Sequence, residues 1–271
     1  MNLISKIIDT ILSYEQNFDP HQFRALMEKY SFSTGLGIVL GYLLSIGMLK
    51  NYMESRPAFN LRWPLIFWSL LCCVFSLAGA YRCVPAFIEI IRKGGFYASV
   101  CSNEFYTGKP EAFWTAAFML YKFPELIDTY FIILRKRKLI FLHWYHHATV
   151  LAYGWLTFHW WYAGPGWYGS MNFSVHFIMY GYYALAGISA ATRKFRIPKF
   201  VNMIITSLQI LQMVVGMVVQ VAQIKYKLID GDEACQTDKW FILNGSLMYG
   251  SYFVLFMNYF LKTYFKKQKT Q

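Results

Sequence analysis

The chain has 271 residues, 56% hydrophobic and 20% aromatic, with only 15% charged and a net charge of +12. A soluble domain carries about 25% charged residues, so the composition excludes an ordinary globular protein and indicates a polytopic membrane protein. The positive charge does not indicate a nucleic-acid partner, because the cations sit in short loops between apolar segments rather than along a groove on a soluble fold.

Residues 1–29 scatter apolar positions among Lys6, Asp9, Glu15, Asp19, Arg24 and Glu28, the pattern of a short amphipathic or interfacial helix. No basic tip leads into an apolar core there, so no cleavable signal peptide is expected. A first span is expected over 30–49, between Lys29 and Lys50, and a second over 63–81, between Arg62 and Arg82, with Pro64 in its first turn. Residues 82–111 read as a loop with helical periodicity near Phe87 to Ile91 and breakers at Gly94, Gly95 and Gly108. A third span at 112–134 is unusual in enclosing Lys122, Glu125 and Asp128, and Pro124 is expected to free a carbonyl near Leu120 and kink the helix.

Four consecutive cations, Arg135, Lys136, Arg137 and Lys138, then precede more than fifty residues without Lys, Arg, Asp or Glu. Fourth and fifth spans are expected at 139–160 and 169–189, separated by a glycine- and proline-rich turn. The basic loop of Arg193, Lys194, Arg196 and Lys199 precedes a sixth span at 200–224, and a seventh lies between Lys239 and Lys262. The loop set 50–62, 135–138, 193–199 and 262–269 holds fifteen of the twenty-six Lys and Arg, against seven in the opposite set, so the first set is expected in the cytosol. That orientation makes 1–29 a lumenal or extracellular segment and 262–271 a cytosolic tail of a single domain, 1–271.

Three of the six histidines, His143, His146 and His147, fall in one turn and a half, with helical i, i+3, i+4 spacing that puts them on one side. At 1.5 Å per residue they lie roughly 8 to 14 Å below Lys138. The third helix brings Lys122, Glu125 and Asp128 to a similar depth, and the sixth brings Thr206, Gln209 and Gln212. Such groups are costly in hydrocarbon unless they face one another, so a shared interior site is the economical account.

The imidazoles suit three chemistries: zinc or iron ligation, acid–base work, and nucleophilic attack. A membrane di-iron centre as usually built needs about eight histidine ligands, more than the chain's six, and no Cys/His zinc spacing occurs, so no metal is expected. Lys122 and Glu125 also read as an intrahelical ion pair that stabilises packing, and Gln209 and Gln212 either bind substrate by donating to a carbonyl or orienting an imidazole, or serve as interhelical glue. His176 shares a face with Asn172, Tyr180 and Tyr183, where it is either a satisfied core histidine or part of the site. A seven-helix transporter or receptor with an intramembrane polar site is the rival class.

These motifs together resemble the very-long-chain fatty acid elongase family: His143-Trp-Tyr-His146-His147, Lys122-Phe-Pro-Glu125-Leu-Ile-Asp128, Asn172 to Tyr183, and Thr206 to Gln212. The tryptophan and tyrosine inside the histidine box are most similar to the branch that extends saturated and monounsaturated chains. The resemblance implies an all-α fold of seven transmembrane helices, six forming a barrel around an acyl tunnel with one outside. It implies condensation of acyl-CoA with malonyl-CoA to 3-ketoacyl-CoA, CO₂ and CoA in the endoplasmic reticulum membrane, with no bound cofactor. His146 is then expected to carry the acyl group, with His143 and His147 tuning it and His176 positioning malonyl-CoA. Glu125 and Asp128 would fix a histidine tautomer, Lys122 would be their counter-ion, and Arg135 to Lys138 would meet the CoA. The family also implies a disulfide between Cys101 and Cys235, a place beside the reductases and dehydratase of the cycle, and compatibility with a homodimer. Lys267 and Lys269 resemble a retrieval signal.

Overall fold

The computed structural model describes residues 3–30 and 32–265 of the protein. Lys267 and Lys269, and with them most of the expected 262–271 tail, lie outside the described residues. Ten α-helices run through the rest, and no strand occurs among the described residues. Helix α1 is Leu3–Asn17 and α2 is Pro20–Lys29. Asp19 starts α2 by accepting from the amides of His21 and Gln22, with Pro20 where its missing N–H costs nothing.

Helix α3 spans Phe32–Glu54 and α4 spans Arg62–Cys101. The expected loop at 82–111 is therefore helical as far as Cys101, broken only at Gly95, whose φ of 66° lies in the left-handed region that glycine tolerates. Helices α5 (Glu111–Tyr121) and α6 (Ile127–Leu134) replace the single third span, with a 3₁₀ turn at Pro124–Leu126 between them. Pro124 has no amide to give and its ring clashes with the carbonyl four residues back, so the α pattern stops rather than bends. Helices α7 (Phe141–Trp160), α8 (Pro165–Thr192), α9 (Lys199–Gln223) and α10 (Lys239–Tyr264) complete the chain, with a π turn at Ile224–Ile229 after α9.

The protein is an all-α, multi-pass membrane protein, but the expected seven spans and six-helix barrel are corrected. Among the described residues four helices are long and apolar enough to cross a membrane: Ser33–Glu54, Arg62–Cys101, Lys199–Ile229 and Lys239–Tyr264. The third expected span fails because Pro124 divides it into pieces of 11 and 8 residues. The fourth and fifth, α7 and α8, have 20 and 28 residues but dilute their apolar positions with histidine, asparagine, serine and glycine.

The most extensive interhelix contact is between α4 and α8. A β-carbon at Gly187 would meet Ile66 at 2.5 Å, so the two backbones approach only because that position carries no side chain. At the far end of this pair, Cys101 is bonded to Cys235 across a sequence separation of 134. Beside the disulfide the Tyr97 hydroxyl donates to Asp232 and holds that carboxyl below its ordinary range. The basic loops lie at the opposite end of the helices.

Candidate active site

The break at Pro124 turns the polar groups of the 122–129 segment into the interior. Lys122 and Glu125 are 2% and 1% exposed, and Lys122 Nζ donates to Glu125 Oε1 at 2.7 Å. Lys122 also donates to Asn172 Oδ1 of α8 at 3.1 Å. Asn172 Nδ2 lies 3.2 Å from His176 Nε2, one turn along the same helix. His176 Nδ1 lies 3.4 Å from Glu125 Oε1 and closes a ring of four residues.

The ring dictates its own proton positions. An ammonium only donates, so Asn172 must present its carbonyl oxygen to Lys122 and its amide hydrogens to His176. His176 Nε2 then accepts, and its proton sits on Nδ1, facing the Glu125 carboxylate. Two charges that would be costly alone in an apolar interior are thereby paired and hydrogen-bonded.

Asp128 stands apart from this ring. Its oxygens accept from Trp68 Nε1 at 2.7 Å and from the Tyr180 hydroxyl at 2.6 Å, so it anchors α4 and α8 and touches no histidine. His143 Nε2 lies 3.1 Å from Thr129 Oγ1, which lies 2.7 Å from the Tyr42 hydroxyl of α3. The His143 and His147 rings are 4.5 Å apart, and the His146 ring is 5.7 Å from His147. Tyr252 of α10 packs on the His146 ring at 4.7 Å, and its hydroxyl donates to the His146 carbonyl at 3.3 Å. His146 Nδ1 is enclosed without a hydrogen-bond partner, which leaves Nε2 as the nitrogen free to face open space.

Two cavities have His146 on their walls. One is walled largely by aromatic and apolar side chains including Phe118, Tyr153, Phe158, Phe173 and Tyr249. Lys122, Asn172 and Gln212 reach its histidine end, and toward the disulfide it extends as far as Tyr106, Phe158 and Ala163. The other, the larger, is lined by His143, His147, His176, Tyr180, Tyr183 and Gln209, with Asp128, Thr206, Arg135 and Arg137 also on its wall. Among the described residues, His146 alone lines both.

The expected site residues thus divide between the two spaces. Gln212 is 7% exposed and makes no side-chain hydrogen bond among the described residues, while Gln209 Nε2 approaches the Met179 sulfur at 3.2 Å. Of the four cations, Arg135 and Arg137 line the larger of these two cavities, and Lys136 and Lys138 line neither. Lys136, at φ 51°, turns back to donate to the Glu54 carbonyl at 3.1 Å, and Lys138 is exposed. Cys101 and Cys235 lie remote from the histidines, at the end where the aromatic cavity stops. Trp68, Tyr42 and Tyr252 went unnoticed in the sequence, because no periodicity links them to the residues they hold.

Comparison with known proteins bears on this arrangement. The model of the ELO (GNS1/SUR4) family matches residues 26–271. The chain is 42% identical over 254 residues to very long chain fatty acid elongase 6 of Gallus gallus, covering 94% of this chain and 92% of that protein. It is 40% identical over 271 residues to very long chain fatty acid elongase 3 of Homo sapiens, covering 96% of this chain and 97% of that one. Elongase 6 of Mus musculus is 44% identical over 220 residues, covering 81% and 80% of the two chains. A match across nearly the whole length, including every segment that converges on His146, means that the chain belongs to the ELO (GNS1/SUR4) family of very long chain fatty acid elongases.

Proposed function

We propose that the site condenses a long-chain acyl group, carried on His146, with malonyl-CoA. The chain is an elongase, a transferase of fatty acid biosynthesis that acts on long-chain acyl-CoA and malonyl-CoA. The observation that carries the finer reading is the position of His146 on the walls of both cavities. A two-substrate enzyme with an acyl intermediate needs one group reachable from an apolar chamber and from a chamber that admits CoA. The aromatic cavity suits the alkyl chain by burial of apolar surface. The larger one, with Arg135 and Arg137 at its basic end, suits the anionic CoA of each substrate in turn.

In the first half-reaction His146 Nε2 attacks the thioester carbonyl, the carbon–sulfur bond breaks, and CoA leaves as the thiol with the imidazole proton. An imidazole is nucleophilic while neutral and is a good leaving group from an acyl carbon. In the second, malonyl-CoA loses CO₂, and the electron pair left on its C2 attacks the acyl carbon. The carbon–nitrogen bond breaks, the departing imidazole takes up a proton from water in the CoA cavity to replace the one lost with the thiol, and a 3-ketoacyl-CoA two carbons longer departs. His176, fixed by Asn172 and Glu125, is the group of the ring that lines the malonyl-CoA cavity, while Gln212 offers a donor to the acyl oxygen from the other side. His143 and His147 hold the face of α7 on which His146 stands. No cofactor enters this scheme.

Saturated and monounsaturated chains suit the unbranched apolar chamber. The basic loops at one end and the disulfide at the other support a cytosolic entrance and a lumenal end in the endoplasmic reticulum membrane. The ketone product requires reduction, dehydration and a second reduction by partner enzymes.

The test uses purified protein in detergent with palmitoyl-CoA and labelled malonyl-CoA. The wild type is expected to form 3-ketoacyl-CoA and, without malonyl-CoA, an acyl-protein adduct visible by intact mass. His146→Ala is expected to lose both. An adduct that survives this substitution moves the acyl group to another residue and overturns the assignment.

A further inference from the structure

The N-terminal helices carry none of the groups assigned to the reaction, yet α2 is packed against the back of the aromatic cavity's end wall. Phe158 and Tyr106 line that wall, and their rings meet edge to face at 5.5 Å. Behind Phe158, outside the cavity, Phe23 of α2 meets it edge-on at 5.0 Å. Behind Tyr106, Trp161 stacks nearly parallel at 5.8 Å, and the Arg24 guanidinium lies 4.9 Å above the Trp161 ring. Phe158, Tyr106 and Trp161 are 2%, 3% and 6% exposed, so no solvent space lies behind the wall into which it can move. Helix α1, joined to α2 by a two-residue link, is pinned in turn by the buried Glu15, which accepts from Trp114 at 2.6 Å and from Arg82.

The wall stands at a definite depth. Phe158 is twelve residues along α7 from His146, about 18 Å at the helical rise. An extended alkyl chain of 1.5 Å bonds at near-tetrahedral angles advances about 1.3 Å per carbon, so the wall meets an acyl chain at roughly its fourteenth carbon. For a chain several carbons longer to fit, Phe158 must retreat, and in a close-packed interior it retreats only into volume now filled by Phe23.

We infer that Phe23 and Arg24 of α2 limit the length of the acyl chain from outside the cavity, by holding Phe158 and Tyr106 from behind. This rests on the reading that the acyl chain occupies the aromatic cavity. Both act as positioning residues, since neither lines the cavity, and they select among primers without taking part in the condensation.

The experiment compares rates for primers from twelve to twenty-two carbons, using purified full-length wild type, Phe23→Ala and Phe158→Ala. Phe23→Ala is expected to raise the ratio of the twenty-carbon to the fourteen-carbon rate by about fivefold, equivalent to about 1 kcal/mol in the transition state. The fourteen-carbon rate itself is expected to stay within about twofold of wild type, because a chain of that length ends at the wall without displacing it. Phe23→Leu and Arg24→Gln, which keep α2 packed, carry the same sign should Phe23→Ala fail to fold. A loss shared equally by all primers, or an unchanged profile, in these variants while Phe158→Ala shifts the profile overturns the role of α2 alone. An unchanged profile in Phe158→Ala as well overturns the assignment of the acyl chain to this cavity.

Discussion

Lys122 and Asn172 stand 50 residues apart in the chain, and Lys122 Nζ donates to Asn172 Oδ1 at 3.1 Å. That contact orients the amide, the amide orients the proton of His176, and His176 lines the cavity assigned to malonyl-CoA. A lysine on one side of the Pro124 break therefore sets the tautomer of a histidine on another helix.

Asn172→Leu keeps most of the side-chain volume and removes both contacts, leaving the His176 tautomer unfixed. A hydrogen bond to a charged donor contributes roughly 1.5 to 3 kcal/mol, and each 1.36 kcal/mol is tenfold in rate. The rate of 3-ketoacyl-CoA formation is expected to fall by roughly 10- to 100-fold at saturating substrates, in protein that elutes normally on size exclusion. A rate equal to wild type would show that the ring does not serve catalysis.

The Lys122–Glu125 pair makes a second prediction, about stability. Lys122→Met leaves the Glu125 carboxylate enclosed at 1% exposure with no cation, and breaking a buried pair in this way costs about 3 to 5 kcal/mol. Lys122→Met combined with Glu125→Gln removes the stranded charge and is expected to melt at a higher temperature than the single variant, although it too is inactive. Thermal unfolding in detergent reads this directly, and a double variant less stable than the single would contradict it.

The sequence reveals the chemistry of this site more fully than its frame. Histidine spacing at 143, 146 and 147 puts the imidazoles on one side of α7, and the shared depth of Lys122 and Gln212 anticipates that they line one cavity, because such groups have few alternatives in hydrocarbon. Counting spans by uncharged length misjudges α7 and α8, where the polar groups that make the site also dilute the apolar character. Pro124 reads in the sequence as a kink and acts in the structure as a terminator. Asp128 looks equivalent to Glu125 in sequence, but its partners, Trp68 and Tyr180, come from helices whose distance is not encoded in any local pattern. The packing of α2 behind the cavity wall is hidden for the same reason.

Arg135 and Arg137 line the larger cavity, whereas Lys136 is turned to the Glu54 carbonyl. Arg135→Ala and Arg137→Ala are each expected to raise KM for both CoA substrates by about tenfold, near 1.4 kcal/mol of binding, with a smaller effect on kcat. Lys136→Ala is expected to raise it less. The wild-type KM should rise with ionic strength, and the double arginine variant should lose most of that dependence, since the charges being screened are gone. Steady-state kinetics from 50 to 500 mM salt decide the matter.

The disulfide between Cys101 and Cys235 closes a loop of 134 residues that encloses α5 to α9. It also seats Gln236, whose amide donates to the Cys101 carbonyl at 2.9 Å and whose carbonyl accepts from the Ala163 amide at 2.8 Å. Ala163 lines the far end of the aromatic cavity, so the covalent link and the cavity end share a backbone contact. By the loop-closure argument a link of this span restricts the unfolded chain by about 4 to 5 kcal/mol. Reductant is therefore expected to lower the unfolding temperature of the wild type by several degrees and to leave the Cys101→Ser/Cys235→Ser variant, already lowered, unmoved. Cys72 and Cys83 are buried free thiols, and neither has a bond for reductant to break. If reductant lowers the double variant as far as it lowers the wild type, its effect does not run through this disulfide, and the stabilisation assigned to the link is wrong.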